Sequence, residues 1–189
     1  MQKKIEYNRL TSEHFDQIAD IQLKELPLDI TSQLGKQFLV ATLYPVILRN
    51  DVASLVVRCN ERVVGFCFVT TQQNWILSVV GRSFLKLLNF AIKNPKRALD
   101  ILLTALSSNP TKSDVELAWI AILTELQGQS IGSNLIERSI DLVRAQKYSL
   151  ISVKTLQSTP QNVKFYENSG FIQSAIRRGR IYLIRKTIN

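Results

Sequence analysis

Past the strongly apolar run LAWIAIL (Leu117 to Leu123), the stretch QGQSIGS (Gln127 to Ser133) is poor in side-chain bulk and opens directly into an amphipathic segment. A helix beginning there would present unpaired N–H groups and a partial positive charge at its first turn. With Gly128 and Gly132 beside it, a phosphate could approach the backbone without side chains in the way. The same glycines also suit a plain connection, Gly128 making a turn and Gly132 giving room for helix-to-sheet contact. No Gly-Lys-Ser/Thr follows, so this is not a Walker phosphate loop, and the Gly-x-Gly-x-x-Gly spacing of a dinucleotide site is missing.

The balance of charge fits an anionic ligand. The 189 residues carry a formal net charge of +9, which points to nucleic acid, a membrane face or a phosphorylated small molecule without choosing among them. Apolar content of 46% and charged content of 21% describe one globular domain rather than a disordered chain. No apolar run approaches the ~18 residues of a membrane span, and MQKKIEYNRL has no apolar core of the signal-peptide kind. Cys59 and Cys67, the two cysteines, flank a hairpin turn at unequal distances. They are therefore not expected to face each other across it. Both read as reduced, which makes the expected location cytoplasmic.

These groups must be positioned by a regular alternation of elements. KIEYNRL reads as a first strand, and Thr11 or Ser12 caps a helix with the stripe Phe15, Ile18, Ala19 and Leu23. A second helix starts near Thr31 or Ser32, with Leu34, Phe38, Leu39 and Thr42 on one side. Val52 to Thr70 is a hairpin about Asn60-Glu61-Arg62. Two helices with broad apolar faces, RSFLKLLNFAIKN and NPKRALDILLTALSS, fill the stretch 71–113. DVELAWIAIL is then a strand, Ile131 to Ala145 a helix and YSLISVKTL a strand. A short helix ends at Gly170, and FIQSAI and RIYLIRK form a last hairpin around Arg177 to Arg180. The order βααββ, helical insert, βαβαββ is that of a single mixed α/β domain over 1–189.

Two segments together resemble the GNAT superfamily of N-acetyltransferases. LAWIAILTELQGQSIGSNLI is similar to that family's acetyl-coenzyme A motif, with Ile120-Ala121-Ile122 at the strand end and Gln127 and Gly132 at the motif's Gln/Arg and Gly/Ala positions. Ser130 stands where a middle glycine is usual. NVKFYENSGF (Asn162 to Phe171) resembles the later helix motif. There Thr159 replaces the usual asparagine, and Asn162 takes a position more often alanine. The order of elements also agrees with the GNAT fold, a mixed central sheet flanked by helices, here with a helical insert between strands 3 and 4.

The resemblance implies that the strands DVELAWIAIL and YSLISVKTL splay apart. Backbone groups near Ile120 and Ile122 would then pair with pantetheine, and an N–H near Ile122 would polarise the thioester. It implies that Gln127, Gly128, Gln129, Ser130, Ile131, Gly132 and Ser133 meet the pyrophosphate and that Asn162 lies at the cofactor, with no metal required. Tyr166 falls at the family's general-acid tyrosine. Glu116 resembles the glutamate used as base by some members; strand alternation would set it on one face with Ala118, Ile120 and Ile122. His14, the only histidine, lies in the first turn of a surface helix and is not expected in catalysis.

The implied activity is acetyl transfer from acetyl-CoA to a primary amine, such as an amino sugar or nucleotide sugar. The alternatives are a protein N-terminus or lysine as acceptor, or a non-catalytic module. Asp29 reads either as an ammonium partner or as a carboxylate at a helix start. Arg177 to Arg180 suits a diphosphate or a solvated turn. Nucleic acid is not expected, since basic residues do not interleave with aromatic ones. The insert, basic along Arg82, Lys86, Lys93, Lys96 and Arg97, suits packing on its own domain or on a second copy, with an anionic membrane face as the lesser expectation.

Overall fold

The computed structural model describes residues 4–71 and 111–187, with Ile92 and Pro95 between them as single helical positions. The two expected insert helices and their basic residues lie outside the described residues. The strands are β1 (Ile5–Arg9), β2 (Leu55–Cys59), β3 (Arg62–Thr71), β4 (Val115–Ile122), β5 (Leu150–Leu156), β6 (Ile172–Arg177) and β7 (Arg180–Lys186). They form one sheet in the order β1-β2-β3-β4-β5-β7-β6. Every pairing is antiparallel except β4 with β5.

An inner strand explains the layering. From Val63 to Thr70, β3 is buried at every position, as expected where both faces are covered. On one face lie α1 (Phe15–Glu25), α2 (Ile30–Gln33), α3 (Lys36–Phe38), a π turn (Leu39–Leu43) and α4 (Tyr44–Arg49). An aromatic file runs through this layer, with centroids 5.4 Å apart for Phe15–Tyr44, 5.4 Å for Tyr44–Phe68 and 6.2 Å for Phe68–Trp119. On the other face lies α5 (Ile131–Ala145), which buries Ile131, Leu135, Ile136, Ser139, Ile140 and Val143. Each large aliphatic side chain on that stripe contributes about 1.5–3 kcal/mol of burial. Helix α6 (Pro160–Asn168) packs beside it, Phe165 lying against Gly132 of α5.

The second helix departs from the expected pattern. It divides at Gly35, which takes φ +85°, and the continuing helix carries a π turn just before Pro45. Proline removes a hydrogen bond and crowds the preceding turn, and an extra residue in that turn relieves both. The apolar stripe therefore slips by one, burying Leu43 and Tyr44 where Thr42 is expected. The first hairpin closes on Asn60 and Glu61 alone, both at positive φ, with Arg62 already paired to Cys59. Cys67 pairs with Leu55, so the two cysteines are not cross-strand neighbours, and both are free.

Candidate active site

A gap in the sheet organises the site. Strands β4 and β5 pair only over Val115–Leu117 against Ile151–Val153, although β4 runs on to Ile122 and β5 to Leu156. Beyond Leu117 and Val153 the two strands diverge, the splay the family resemblance implies. The closed end is pinned by Asp114, whose Oδ2 accepts from Ser149 N at 2.7 Å, Leu150 N at 2.9 Å and Ser149 Oγ at 2.9 Å. Those donors hold its carboxyl below the usual value, the Ser149 N–H contributing most. On the β3 side, Leu123 N donates to Val64 O at 2.9 Å. Backbone groups alternate in direction along an antiparallel strand, so those of Ile120 and Ile122 are directed into the gap.

The mouth of the gap is closed by the bare loop. After the 3₁₀ turn Thr124–Leu126, Gly128 takes φ +76° and Ser130 φ +60°. A Cβ built on Gly128 would meet nothing within 4 Å, so the loop backbone is open to an approaching ligand. Gln127 is committed internally: its N–H donates to Thr124 O at 3.1 Å and its Nε2 to Ile122 O at 2.9 Å. The first bond within α5 is Asn134 N to Ser130 O at 3.0 Å, which leaves the N–H groups of Ile131, Gly132 and Ser133 without an acceptor inside the helix. Gly132 has a packing role as well, since an added Cβ would sit 3.3 Å from Phe165 Cζ. The close neighbour there is a side chain of the following helix, with Ile122 of β4 next at 3.8 Å.

Tyr166 reaches this region from α6. It is 8% exposed, with Phe165 and Phe171 rings 5.3 and 5.9 Å away. Burial raises its phenol pKa, and the nearby Cys67 thiol raises it further. Cys67 pairs with Ile120 across β3 and β4, so the tyrosine belongs to the same neighbourhood as the gap-facing backbone. Its phenol stays protonated at neutral pH and can donate. Cys67 is itself buried against Ser139 Oγ at 2.9 Å, and burial pushes its thiol up to about 11. Arg185 of β7 fixes the two helices of the site relative to each other, with Nη1 2.5 Å from Glu137 Oε1 of α5 and 2.5 Å from Ser169 O after α6. Asn162 is exposed on the first turn of α6, and the Thr159 hydroxyl donates to Leu156 O at 2.9 Å.

Glu116 is not where strict alternation would set it. Cys67 pairs with Ile120 and Phe68 with Trp119, but Val69 pairs with Leu117, so Ala118 is an extra residue in β4. A bulge reverses the faces on either side of it. Glu116 therefore shares a face with Thr70, Trp119 and Ala121, whereas Ile120 and Ile122 face α5. It is 7% exposed. Lys154 Nζ lies 2.8 Å from its Oε1, yet Oε1 has no hydrogen-bond partner, so charge holds the pair without an aligned hydrogen bond. Thr70 Oγ1, on the residue paired with Glu116, is buried with no hydrogen-bond partner.

The same face carries Asp29. Its Oδ1 accepts from Thr31 N at 2.9 Å and Thr31 Oγ1 at 2.5 Å, the helix-start arrangement; its Oδ2 accepts from Trp119 Nε1 at 3.3 Å. Behind it, Gln22 Nε2 donates to Thr31 Oγ1 and Tyr44 OH to Gln22 Oε1, each at 2.9 Å. The basic hairpin tip also lies near the mouth: Gln157 N, just after β5, donates to Gly179 O at 2.9 Å. His14 stands apart, its Nδ1 accepting from Thr11 N at 3.1 Å.

Sequence reasoning did not find Lys154, Thr70, Gln22 or Tyr44. No local pattern marks Lys154, since its partner Glu116 lies on another strand. Among the described residues, no three His, Cys, Asp or Glu side chains gather as a metal site, and no helix is long and apolar enough to cross a membrane.

Comparison with known proteins agrees with this geometry. A family model described as the acetyltransferase (GNAT) family matches residues 15–171. Among solved structures, SsHAT superposes with a TM-score of 0.69 at 16% identity, covering 98% of this chain and 100% of that one. The PaiA N-acetyltransferase of Thermoplasma acidophilum, solved with coenzyme A, gives 0.65 at 12% identity over 97% and 99% of the two chains. YncA of Salmonella typhimurium, a protein solved with acetyl-CoA, gives 0.65 at 12% identity over 97% and 94%. At these identities the likeness is one of fold. No curated protein matches the chain.

Proposed function

The chain belongs to the GNAT acetyltransferase family, and from that premise we propose that it transfers an acetyl group from acetyl-CoA to a primary amine on a small anionic molecule, by direct attack in a ternary complex. The observation that carries this reading is the gap between β4 and β5, opening onto the Gly128–Ser133 loop and the start of α5. In this reading the free N–H groups of Ile131, Gly132 and Ser133, with the loop backbone from Gly128 to Ser130, take the pyrophosphate. Gln127 shapes the loop, and Asn162 lines the rim.

Pantetheine adds to the gap-facing edge of Ile120 and Ile122 as a third strand would, and the N–H of Ile122 polarises the thioester carbonyl. The amine nitrogen bonds to the acetyl carbonyl carbon, the carbon–sulfur bond breaks, and Tyr166 donates the proton that the leaving thiolate takes. Glu116 receives the amine proton through intervening water. Four residues of strand separate it from Ile120, roughly 10 Å even allowing for the bulge, too far for direct contact.

The acceptor enters from the face of Asp29, Trp119 and Glu116. Two carboxylates there suit an ammonium group, and Arg177, Arg178 and Arg180 at the hairpin tip suit a phosphate or similar anion on the same molecule. A sugar nucleotide bearing an amine combines both. The test is thiol release from acetyl-CoA against matched amines: an amino sugar, its phosphate and its nucleotide diphosphate. Activity rising along that series supports the reading, whereas turnover of peptide N-termini or lysines alone contradicts it. Cytoplasmic location accompanies the proposal, since acetyl-CoA is supplied there.

A further inference from the structure

Gly65 lies inside β3, where a glycine weakens the strand and packs nothing. Gly35, Gly128, Gly170 and Gly179 take positive φ, whereas Gly65 does not. The position therefore uses the missing side chain rather than backbone freedom. An added Cβ would overlap Ile122 Cδ1 and lie 2.9 Å from Ala121 O and 3.3 Å from Ile122 Cα. Those atoms surround one peptide group, the one joining Ala121 to Ile122. Its C=O leans on β3, so its N–H, on the opposite edge of a trans peptide, is directed into the gap. Beyond Leu117, β4 still pairs with β3 but no longer with β5, so that N–H is placed from the β3 side. The next peptide group is held from both edges, Leu123 N donating to Val64 O and Gln127 Nε2 to Ile122 O, each at 2.9 Å. With Ile122 O taken by Gln127, what this residue offers to the gap is its N–H.

We propose that Gly65 is a positioning residue for acetyl transfer: having no side chain, it lets the Ala121–Ile122 peptide settle against β3, at the depth where the Ile122 N–H meets the thioester carbonyl. This rests on the acetyl-transfer reading above. Such a donor acts only when aimed at the oxygen on which negative charge develops, and a misplacement of about 1 Å loses roughly a hundredfold in rate. A side-chain rotation alone does not make room at position 65, because Ala121 O and Ile122 Cα belong to the backbone. Alanine there pushes the peptide away from β3, into the space the thioester needs. Gly65 touches neither cofactor nor acceptor; its effect passes through Ile122.

The test uses the full chain and acetyl-CoA labelled with carbon-13 at the acetyl carbonyl. Isotope-edited infrared spectra of the bound cofactor, with no amine present, report a hydrogen bond to that carbonyl as a shift to lower frequency. The parent should show the shift and Gly65→Ala should lose it. Calorimetric affinity for coenzyme A, which has no acetyl carbonyl, should stay within about threefold. Thiol release with an amino sugar phosphate should fall by about tenfold or more. The double variant Gly65→Ala, Ile122→Val removes the overlapping Cδ1 but leaves Ala121 O in the way. It should regain Tm without regaining the shift, and it carries the test if the single variant fails to fold. Ile47→Val, which deletes a buried methyl group in α4, should lower Tm and keep the shift. A shift retained in either position-65 variant, or lost together with coenzyme A affinity, overturns the inference while leaving the acetyl-transfer reading intact. So does a parent that binds acetyl-CoA without the shift. A parent that binds neither acetyl-CoA nor coenzyme A overturns that reading, and this inference with it.

Discussion

Replacing Ser130 by glycine isolates what the loop's backbone conformation costs. Ser130 holds φ +60° and ψ 6° as the N-cap of α5, and its hydroxyl makes no capping bond. An L-residue in the left-handed region bears about 1–2 kcal/mol of strain, which glycine does not. Against this, glycine widens the unfolded ensemble, costing about 0.4–1 kcal/mol. With no side-chain bond lost, the net expectation is a gain of roughly 0.5–1 kcal/mol, a rise of about 1–4 °C in Tm for a chain of this size. Urea denaturation of Ser130→Gly, with Ser130→Ala as the control that keeps the strain, measures it directly. The alanine variant should stay within about 0.5 kcal/mol of the parent. If glycine destabilised by 1 kcal/mol or more, the hydroxyl would be holding the loop together, and the strain argument would be wrong. Coenzyme A affinity in the glycine variant should be equal or tighter, since the N–H is retained and a side chain is withdrawn.

Three further changes test separate parts of the site. Tyr166→Phe should lower kcat by about a hundredfold or more with coenzyme A affinity retained; thiol-release kinetics with a calorimetric check would show an unchanged kcat if another group protonates the thiolate. Thr70→Val removes a buried hydroxyl with no partner at nearly constant volume, so it should stabilise by about 1 kcal/mol in urea titration; a loss of similar size would mean the hydroxyl is satisfied. Asp114→Asn addresses pH. Its folded-state carboxyl is held below the usual value, so its contribution is fully present above that usual value and disappears as pH falls through the lowered one. The variant should therefore be less stable than the parent at neutral pH, with the difference closing in acid; a difference that stayed constant with pH would exclude the charge as its source.

The parts of the site that were legible in the sequence are those written in local signals. Gly128 and the stripe down Ile131–Ala145 announce a turn feeding a helix, and Gly170 announces the end of α6 at φ +75°. The splay followed from two motifs resembling one family, not from either strand by itself. What was not legible depends on partners. Strict alternation along β4 assigns Glu116 to the face of Ile120, and only the register against β3 reveals Ala118 as an extra residue. The π turn before Pro45 likewise shifts a stripe that the sequence alone assigns to Thr42. The Lys154–Glu116 pair joins residues 38 positions apart across parallel strands, a distance at which no local pattern reports.

Titration of the protein with acetyl-CoA in a calorimeter, at low and at moderate salt, tests the central claim most directly. The account predicts saturable binding at one site per chain that weakens as salt rises, because backbone N–H groups and the basic hairpin meet a polyanion. Binding should also weaken when Gly128 is replaced by valine, whose branched side chain is strained at φ +76° and fills the open space above the loop. Absence of binding at either salt, or binding indifferent to Gly128→Val, would contradict it.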